Sequence, residues 1–360
     1  AKPGYSEHQL GTAVDLTDES IGFAGVDPRF GVSTGGRWLE KNAHRYGFIM
    51  SYPKGRKHET GYQYEPWHWR YVGADLATAL HNQRATLNET SLTDGAYPKQ
   101  KEYIDGLVVS ANSFIAVFIN NNGNERVLLE KNKDRQLPIA SITKLMVALV
   151  ALDQLNSNDT VFITEESLRN KGTSGIYRAG ESFLFRDALR ALLVGSHNEI
   201  VAALTETTSS DTFVRLMNSK ATQLGLSETS FVNTTGLDPD QGSDSINIST
   251  ASDIYRLLRY IAERQPEILS ITTRQQYNLF DANGNFVKMI ANTNELVNGQ
   301  DLPFTILGGK TGETPRAKKD LALVANAPNG GKIISVVFGS QDSFGDTRKL
   351  LWYINNSFSW

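Results

Sequence analysis

The chain has 360 residues, 40% apolar and 21% charged, which is the composition of globular cores, and it is long enough that two domains are expected. A formal net charge of −3 gives no basic footprint for nucleic acid and no strong pull toward a membrane surface, and the lack of cysteine excludes disulfides and thiolate metal sites. No apolar run reaches the length of a membrane span, and Ala1-Lys2-Pro3-Gly4-Tyr5 has no apolar segment of the kind an export signal needs, so any such signal is expected outside this sequence.

The first stretch predicts a small mixed domain over residues 1–87. A short strand is expected from Gly11 to Leu16, a helix from Arg37 to Tyr46 stopped by Gly47, a strand at Phe48-Ile49-Met50, an aromatic strand from Tyr64 to Val72, and a closing helix over 74–87. A catalytic zinc site needs three N or O ligands, an open position and a general base nearby. His8, Asp15 and His68 could supply the ligands and Glu65 the base. Spacing alone leaves the other reading open, in which His8 and His68 are ordinary loop and strand residues, because there is no His-Glu-x-x-His helix.

From Leu87 to Gly106 the pattern loses its period, and a polar segment punctuated by Gly95 and Pro98 predicts a linker over 88–106. Beyond it, Ser113–Ile119 and Arg126–Glu130 read as a hairpin turning at Asn120-Asn121-Asn122-Gly123. A buried helix follows, with Ser141 and Lys144 at the head of the apolar run Leu145–Leu152. Residues 160–235 read as mostly helical, with turns at 171–175 and near Gly195. Strands return at 306–312, 321–325 and 333–338, the last two flanking the turn Pro328-Asn329-Gly330-Gly331, and a helix is expected over 346–354. Strands at both ends of a helical middle predict one antiparallel sheet with helices on its faces.

Three short motifs carry chemistry in this second stretch. Ser141 and Lys144, three apart, share a helix face, and a desolvated lysine can be the base that a serine nucleophile needs. Ser196-His197-Asn198 lies in a turn led by Gly195, and Lys310-Thr311-Gly312 lies on a strand behind two glycines, where a substrate backbone could approach closely. Each motif alone is weak, but Ser-x-x-Lys, Ser-x-Asn and Lys-Thr-Gly in this order are the signature of penicillin-binding proteins and serine β-lactamases.

With Leu129-Glu130-Lys131-Asn132, Leu137–Met146, Phe231–Leu237 and Asn292-Thr293-Asn294, residues 107–360 resemble the low-molecular-weight penicillin-binding proteins that act as serine D-Ala-D-Ala carboxypeptidases. The resemblance implies an antiparallel sheet flanked by helices with a helical subdomain, and no cofactor for this domain. It implies that Ser141 is acylated, Lys144 is its base and Ser196 relays protons. Asn198 would bind the substrate amide, Lys310, Thr311 and Gly312 its carboxylate end, and the backbone N–H groups of Ser141 and Glu313 the oxyanion. Two departures stand out: His197 in the middle of the second motif, and Gly339-Ser340-Gln341 where many relatives carry a basic residue. The second keeps a DD-endopeptidase reading open beside the carboxypeptidase one.

In the first stretch, Ser6-Glu7-His8 through Asp15, Trp38-Leu39 to Phe48, and Glu65-Pro66-Trp67-His68 resemble the zinc D-Ala-D-Ala carboxypeptidases of the VanY type. By that resemblance the domain is a partial α+β zinc-peptidase domain, His8, Asp15 and His68 bind Zn²⁺, Glu65 is the base, and His44, His58 and His81 are surface residues. The family's carboxylate-holding arginine would fall ahead of Ala1, so an incomplete substrate pocket is expected. Together the resemblances imply an exported bacterial enzyme of the periplasm or cell-wall space. It would act on peptidoglycan stem peptides and be inhibited covalently by β-lactam antibiotics, with no transmembrane span in this chain. A β-lactamase, or a wall-binding protein with a relic zinc domain, are the competing readings.

Overall fold

The computed structural model describes residues 7–87, 99–100, 107–169, 172, 174–206, 208–239, 245–299, 301–328 and 330–359. The chain divides into two compact units, Ala1–Ala96 and Tyr97–Trp360. Ser6, most of the expected linker, part of the turn at 171–175 and Asn329 lie outside the described residues. Among the described residues no helix is long and apolar enough to cross a membrane.

The first unit is built on a three-stranded antiparallel sheet. Strand β1 (Ala13–Asp15) and, after helix α1 (Thr34–Asn42), strand β2 (Phe48–Met50) both pair with β3 (His68–Tyr71), which lies between them. Helix α2 (Ala74–Gln83) closes the unit, burying Ala77 and Leu80 against Ile49. The aromatic strand expected from Tyr64 begins only at His68. Ahead of it the chain turns, with the His68 N–H donating to the Glu65 carbonyl and the Trp69 indole N–H to the Pro66 carbonyl. The expected strand from Gly11 shortens for a similar reason, since Gly11 sits at φ 67°. The helix expected to Leu87 stops at Gln83, where Arg84 adopts a left-handed φ of 51°. Of the histidines expected on the surface, His58 is exposed beside Glu59. His44 differs: its ring stacks on His81 at 3.8 Å where α2 packs on the turn after α1, and its Nδ1 is buried.

In the second unit β4 (Ser113–Ile119) and β5 (Glu125–Lys131) form the expected hairpin. Helix α3 (Thr143–Gln154) follows, then α4 (Phe185–Val194), α5 (Asn198–Glu206) and α6 (Ser210–Gln223). Helices α7 (Ala251–Arg264) and α8 (Pro266–Thr272) lead to a hairpin of β6 (Gln276–Phe280) and β7 (Phe286–Ala291). Three long strands, β8 (Ile306–Thr314), β9 (Lys318–Asn326) and β10 (Lys332–Ser340), precede the last helix, α9 (Ser343–Ser357). The main sheet is antiparallel throughout, in the order β8-β9-β10-β4-β5.

Period-two alternation sorts this sheet's side chains onto two cores. Ile115, Val117, Val324, Ile334 and Val336 pack with the helices around α3, whereas Ala116, Phe118, Leu323 and Ile333 pack against Leu351 and Ile354 of α9. Helix α3 is buried from Thr143 to Ala151, so its apolar run is a central core helix with no solvent stripe. The segment read as mostly helical also holds a small antiparallel pair, Thr160–Phe162 with Ser182–Leu184. The hairpin β6–β7, helices α7 and α8, and this pair are additions to the elements expected from sequence.

Candidate active site and metal centre

Ser141 stands in a 3-10 turn, Ala140–Ile142, immediately ahead of α3, one step short of the helix in which the sequence placed it. The spacing still brings the pair together: Lys144 Nζ donates to Ser141 Oγ at 2.7 Å and to the Thr235 carbonyl at 2.9 Å. Lys144 is fully buried. Burial, reinforced by the positive charge of Lys310 and opposed by Glu199, holds its pKa well below the ordinary lysine value. A lysine that gives up its proton more readily than usual is better placed to offer the lone pair a general base requires.

The turn is gripped from two sides. Gly236, at φ 82°, lies so near the Ala140 carbonyl that an added Cβ would fall 1.9 Å from its oxygen. Gly312 of β8 lies against the same turn, where a Cβ would meet the Ile139 carbonyl at 3.0 Å and the Ala140 Cβ at 3.2 Å. Glycine at these positions lets the 231–237 loop and the Lys-Thr-Gly strand approach the Ser141 turn directly. Strand β8 also carries Lys310, buried to 1% exposure, whose pKa burial lowers to about 7. Its ammonium donates to the Thr311 carbonyl at 3.0 Å, and the Thr311 hydroxyl is paired with that of Thr293 at 2.7 Å.

Ser196 follows α4 with φ 60°, a left-handed conformation rare for serine, and its hydroxyl has no hydrogen-bond partner among the described residues. Strained backbone of this kind concentrates at functional sites. Asn198 Nδ2 donates to the Gly172 carbonyl at 2.9 Å, while its Oδ1 is buried and unpartnered among the described residues. His197, the departure in this motif, accepts from or donates to the Tyr177 hydroxyl through Nδ1 at 2.6 Å. Burial pushes its pKa down to about 4; Glu199 opposes this and the charges of Lys144, Lys288 and Lys310 add to it, so the ring is neutral at neutral pH. Glu199, fully buried, accepts from the Ser174 hydroxyl at 2.8 Å and from the Ser174 and Gly175 backbone N–H groups. Sequence reading missed Tyr177, Glu199 and this loop. Only the unusual His197 hinted at them.

In the first unit, His8, Asp15 and His68 converge, with one donor atom from each lying within 4.8 Å of the others. Asp15 Oδ1 is 3.0 Å from His68 Nδ1 and 3.3 Å from His8 Nε2. Two ligands each about 2.0–2.2 Å from a tetrahedral zinc ion lie roughly 3.3–3.6 Å apart; Asp15–His8 at 3.3 Å matches this and Asp15–His68 at 3.0 Å falls a few tenths of an ångström short, so two imidazoles and a carboxylate so placed fit zinc with a small adjustment. Glu65 lies at the turn before β3, its N–H donating to the Tyr52 carbonyl, and its carboxylate has no hydrogen-bond partner among the described residues.

Two family models match the chain, both described as D-alanyl-D-alanine carboxypeptidase. The serine-peptidase one spans residues 100–342 and the VanY one residues 1–74. Over 89 residues the chain is 46% identical to a putative carboxypeptidase, YodJ, of Bacillus subtilis, which covers 25% of this chain and 32% of that protein. The chain thus spans about a third of the length of this relative. Over 242 residues it is 32% identical to a D-alanyl-D-alanine endopeptidase of Pseudomonas aeruginosa, covering 65% of this chain and 75% of that one. Among solved structures, penicillin-binding protein D2 from Listeria monocytogenes in its ampicillin-bound form superposes with a TM-score of 0.60 at 27% identity, covering 70% of this chain and 100% of that one.

The close approach at Gly236 makes a prediction. Gly236→Ala adds a methyl where the Ala140 carbonyl stands and forces alanine into left-handed backbone, at a cost on the order of 1–3 kcal/mol. Urea unfolding is expected to register that loss, and acylation of Ser141 by a fluorescent penicillin to slow with it. Wild-type stability together with wild-type labelling would contradict the geometry.

Proposed function

Since the chain belongs over residues 100–342 to the D-alanyl-D-alanine carboxypeptidase family of serine peptidases, we propose that it trims peptidoglycan stem peptides through an acyl-enzyme on Ser141. The observation that carries this reading is the fully buried Lys144 Nζ 2.7 Å from Ser141 Oγ. Lys144, neutral, takes the hydroxyl proton as Oγ attacks the carbonyl carbon of the penultimate D-Ala. The backbone N–H groups of Ser141 and Glu313 hold the oxyanion. As the C–N bond breaks, the terminal D-Ala leaves as an amine, its proton delivered through Ser196. Water then hydrolyses the ester. Asn198 Oδ1 accepts the substrate amide, and protonated Lys310, with Thr311 and Gly312, meets its carboxylate end. The same arrangement accepts the carboxylate and strained amide of a β-lactam, which makes such antibiotics covalent inhibitors.

In this reading residues 1–87 form a VanY-like zinc domain, 88–106 a linker and 107–360 the serine peptidase, and the enzyme works in the bacterial cell-wall space. His8, Asp15 and His68 are the zinc ligands. Zinc, when bound, supplies Lewis acidity and a water of lowered pKa. The free carboxylate of Glu65 suits it to accept that water's proton.

A second substrate preference has its own support. At the end of β10, Ser340 is committed to Asp346 by a 2.6 Å hydrogen bond and Gln341 donates its N–H to Ser110, so no basic side chain stands at Gly339-Ser340-Gln341. This favours tolerance of a longer chain beyond the scissile bond, as in a cross-linked stem dimer.

Incubation with a stem pentapeptide, followed by mass spectrometry, is expected to show release of one D-Ala. With a chelator present to silence the zinc site, the release should be blocked by penicillin and lost in Ser141→Ala, together with covalent labelling. Labelling that persists in Ser141→Ala would remove the nucleophile assignment, and cleavage of a cross-linked dimer in preference to the pentapeptide would select the endopeptidase reading. For the first unit, about one zinc per chain is expected by equilibrium titration, with a rise in its unfolding temperature. Zinc removal is expected to leave penicillin labelling unchanged. Failure to take up zinc would overturn the metal assignment alone.

A further inference from the structure

The His68 ring lies between two carboxylates, and they face different nitrogens. Nδ1 is 3.0 Å from Asp15 on the side where His8 and Asp15 converge. Nε2 is 3.0 Å from Glu7 Oε2 on the other side. Glu7 is itself fixed at both oxygens: Oε2 also accepts from the Ser51 hydroxyl at 2.6 Å, and Oε1 from Arg70 at 2.8 Å. The His68 side chain is only 5% exposed, and Tyr52 stacks on its ring at 5.0 Å, so solvent has little room to substitute for Glu7.

From this arrangement we infer that Glu7 is the positioning residue of the metal centre: it accepts the Nε2–H of His68 and so presents the Nδ1 lone pair to zinc. An imidazole ligates through one nitrogen only when the proton sits on the other, and a partner at the far nitrogen fixes both tautomer and ring plane. Glu7 neighbours the ligand His8 in sequence and could be mistaken for a fourth ligand, but it approaches the ring from the side away from Asp15. Ser51 and Arg70 complete the chain of support, tying β3 and the segment after β2 to the ligand turn. The inference rests on the zinc reading above, and the following experiment separates the two.

Zinc affinity of the full chain is measured by competition with a chromophoric chelator. Glu7→Ala is expected to bind about 10–100-fold more weakly than the wild type, and Glu7→Gln, whose amide oxygen still accepts from Nε2, to lose distinctly less. In ¹⁵N-histidine spectra of the zinc-loaded wild type, His68 is expected with Nε2 protonated and Nδ1 bound. Wild-type zinc binding with Glu7→Ala unchanged to within about two-fold would overturn the inference and leave the metal site standing. So would a spectrum with the metal on Nε2, which decides the matter should Glu7→Ala fail to fold. A wild type that takes up no zinc removes the metal reading and this inference with it.

Discussion

Two lysine side chains, Lys144 and Lys310, end in the interior near Ser141, and the arrangement of the larger unit depends on accommodating them. A buried lysine is costly while charged, and the cost is lowered by giving up the proton or by finding close acceptors. Lys144 has both: a pKa well below the ordinary lysine range, and the Ser141 hydroxyl and Thr235 carbonyl as partners. Lys310 lies near enough to push Lys144 further in the same direction, while its own pKa falls to about 7. Lowered pKa values at both lysines are what the proposed roles require, Lys144 as a base and Lys310 as the partner of a substrate carboxylate. Giving neighbouring titratable groups different roles is how one site runs acid and base chemistry together.

Holding that pair requires three chain segments to meet at van der Waals distance. The 3-10 turn 140–142 supplies Ser141 and the first turn of α3 Lys144, the loop before Leu237 supplies the Thr235 carbonyl, and β8 supplies Lys310. The glycines at 236 and 312 allow the approach. On the fourth side, the Ser196-His197-Asn198 turn grips the 172–177 loop through Asn198 to Gly172, His197 to Tyr177 and Glu199 to Ser174. His197 is neutral and bonded, so it acts here as a part-buried anchor of the loop.

Much of this could be read from the sequence because the motifs are local. Ser141 and Lys144 are neighbours at helical spacing, and Lys310-Thr311-Gly312 is an extended tripeptide whose small residues announce close packing. The antiparallel hairpin at 113–131 declared itself by alternation and its turn. What escaped depends on distant partners. The Thr235 carbonyl is 91 residues from Lys144, and the Tyr177 hydroxyl meets a histidine 20 residues away across a loop with no periodic pattern. The β6–β7 hairpin mixes polar and exposed apolar positions, including Phe286 and Met289, so its alternation is blurred. In the first unit the candidate ligands His8, Asp15 and His68 come from the family resemblance, since their spacing alone leaves the other reading open, and Glu7 is given no role. Its role lies in which face of the imidazole it meets, and a linear sequence does not carry that.

If Lys144 is the base proposed for Ser141, burial must let it shed its proton below the ordinary lysine range. The most direct test is the pH dependence of the second-order rate of Ser141 acylation by penicillin. A limb rising with pH is expected, its midpoint well below the ordinary lysine value of 10.5 and set by Lys144, with a decline above about 7 as Lys310 loses its proton. A rate that keeps climbing to the pH at which an exposed lysine titrates would contradict it.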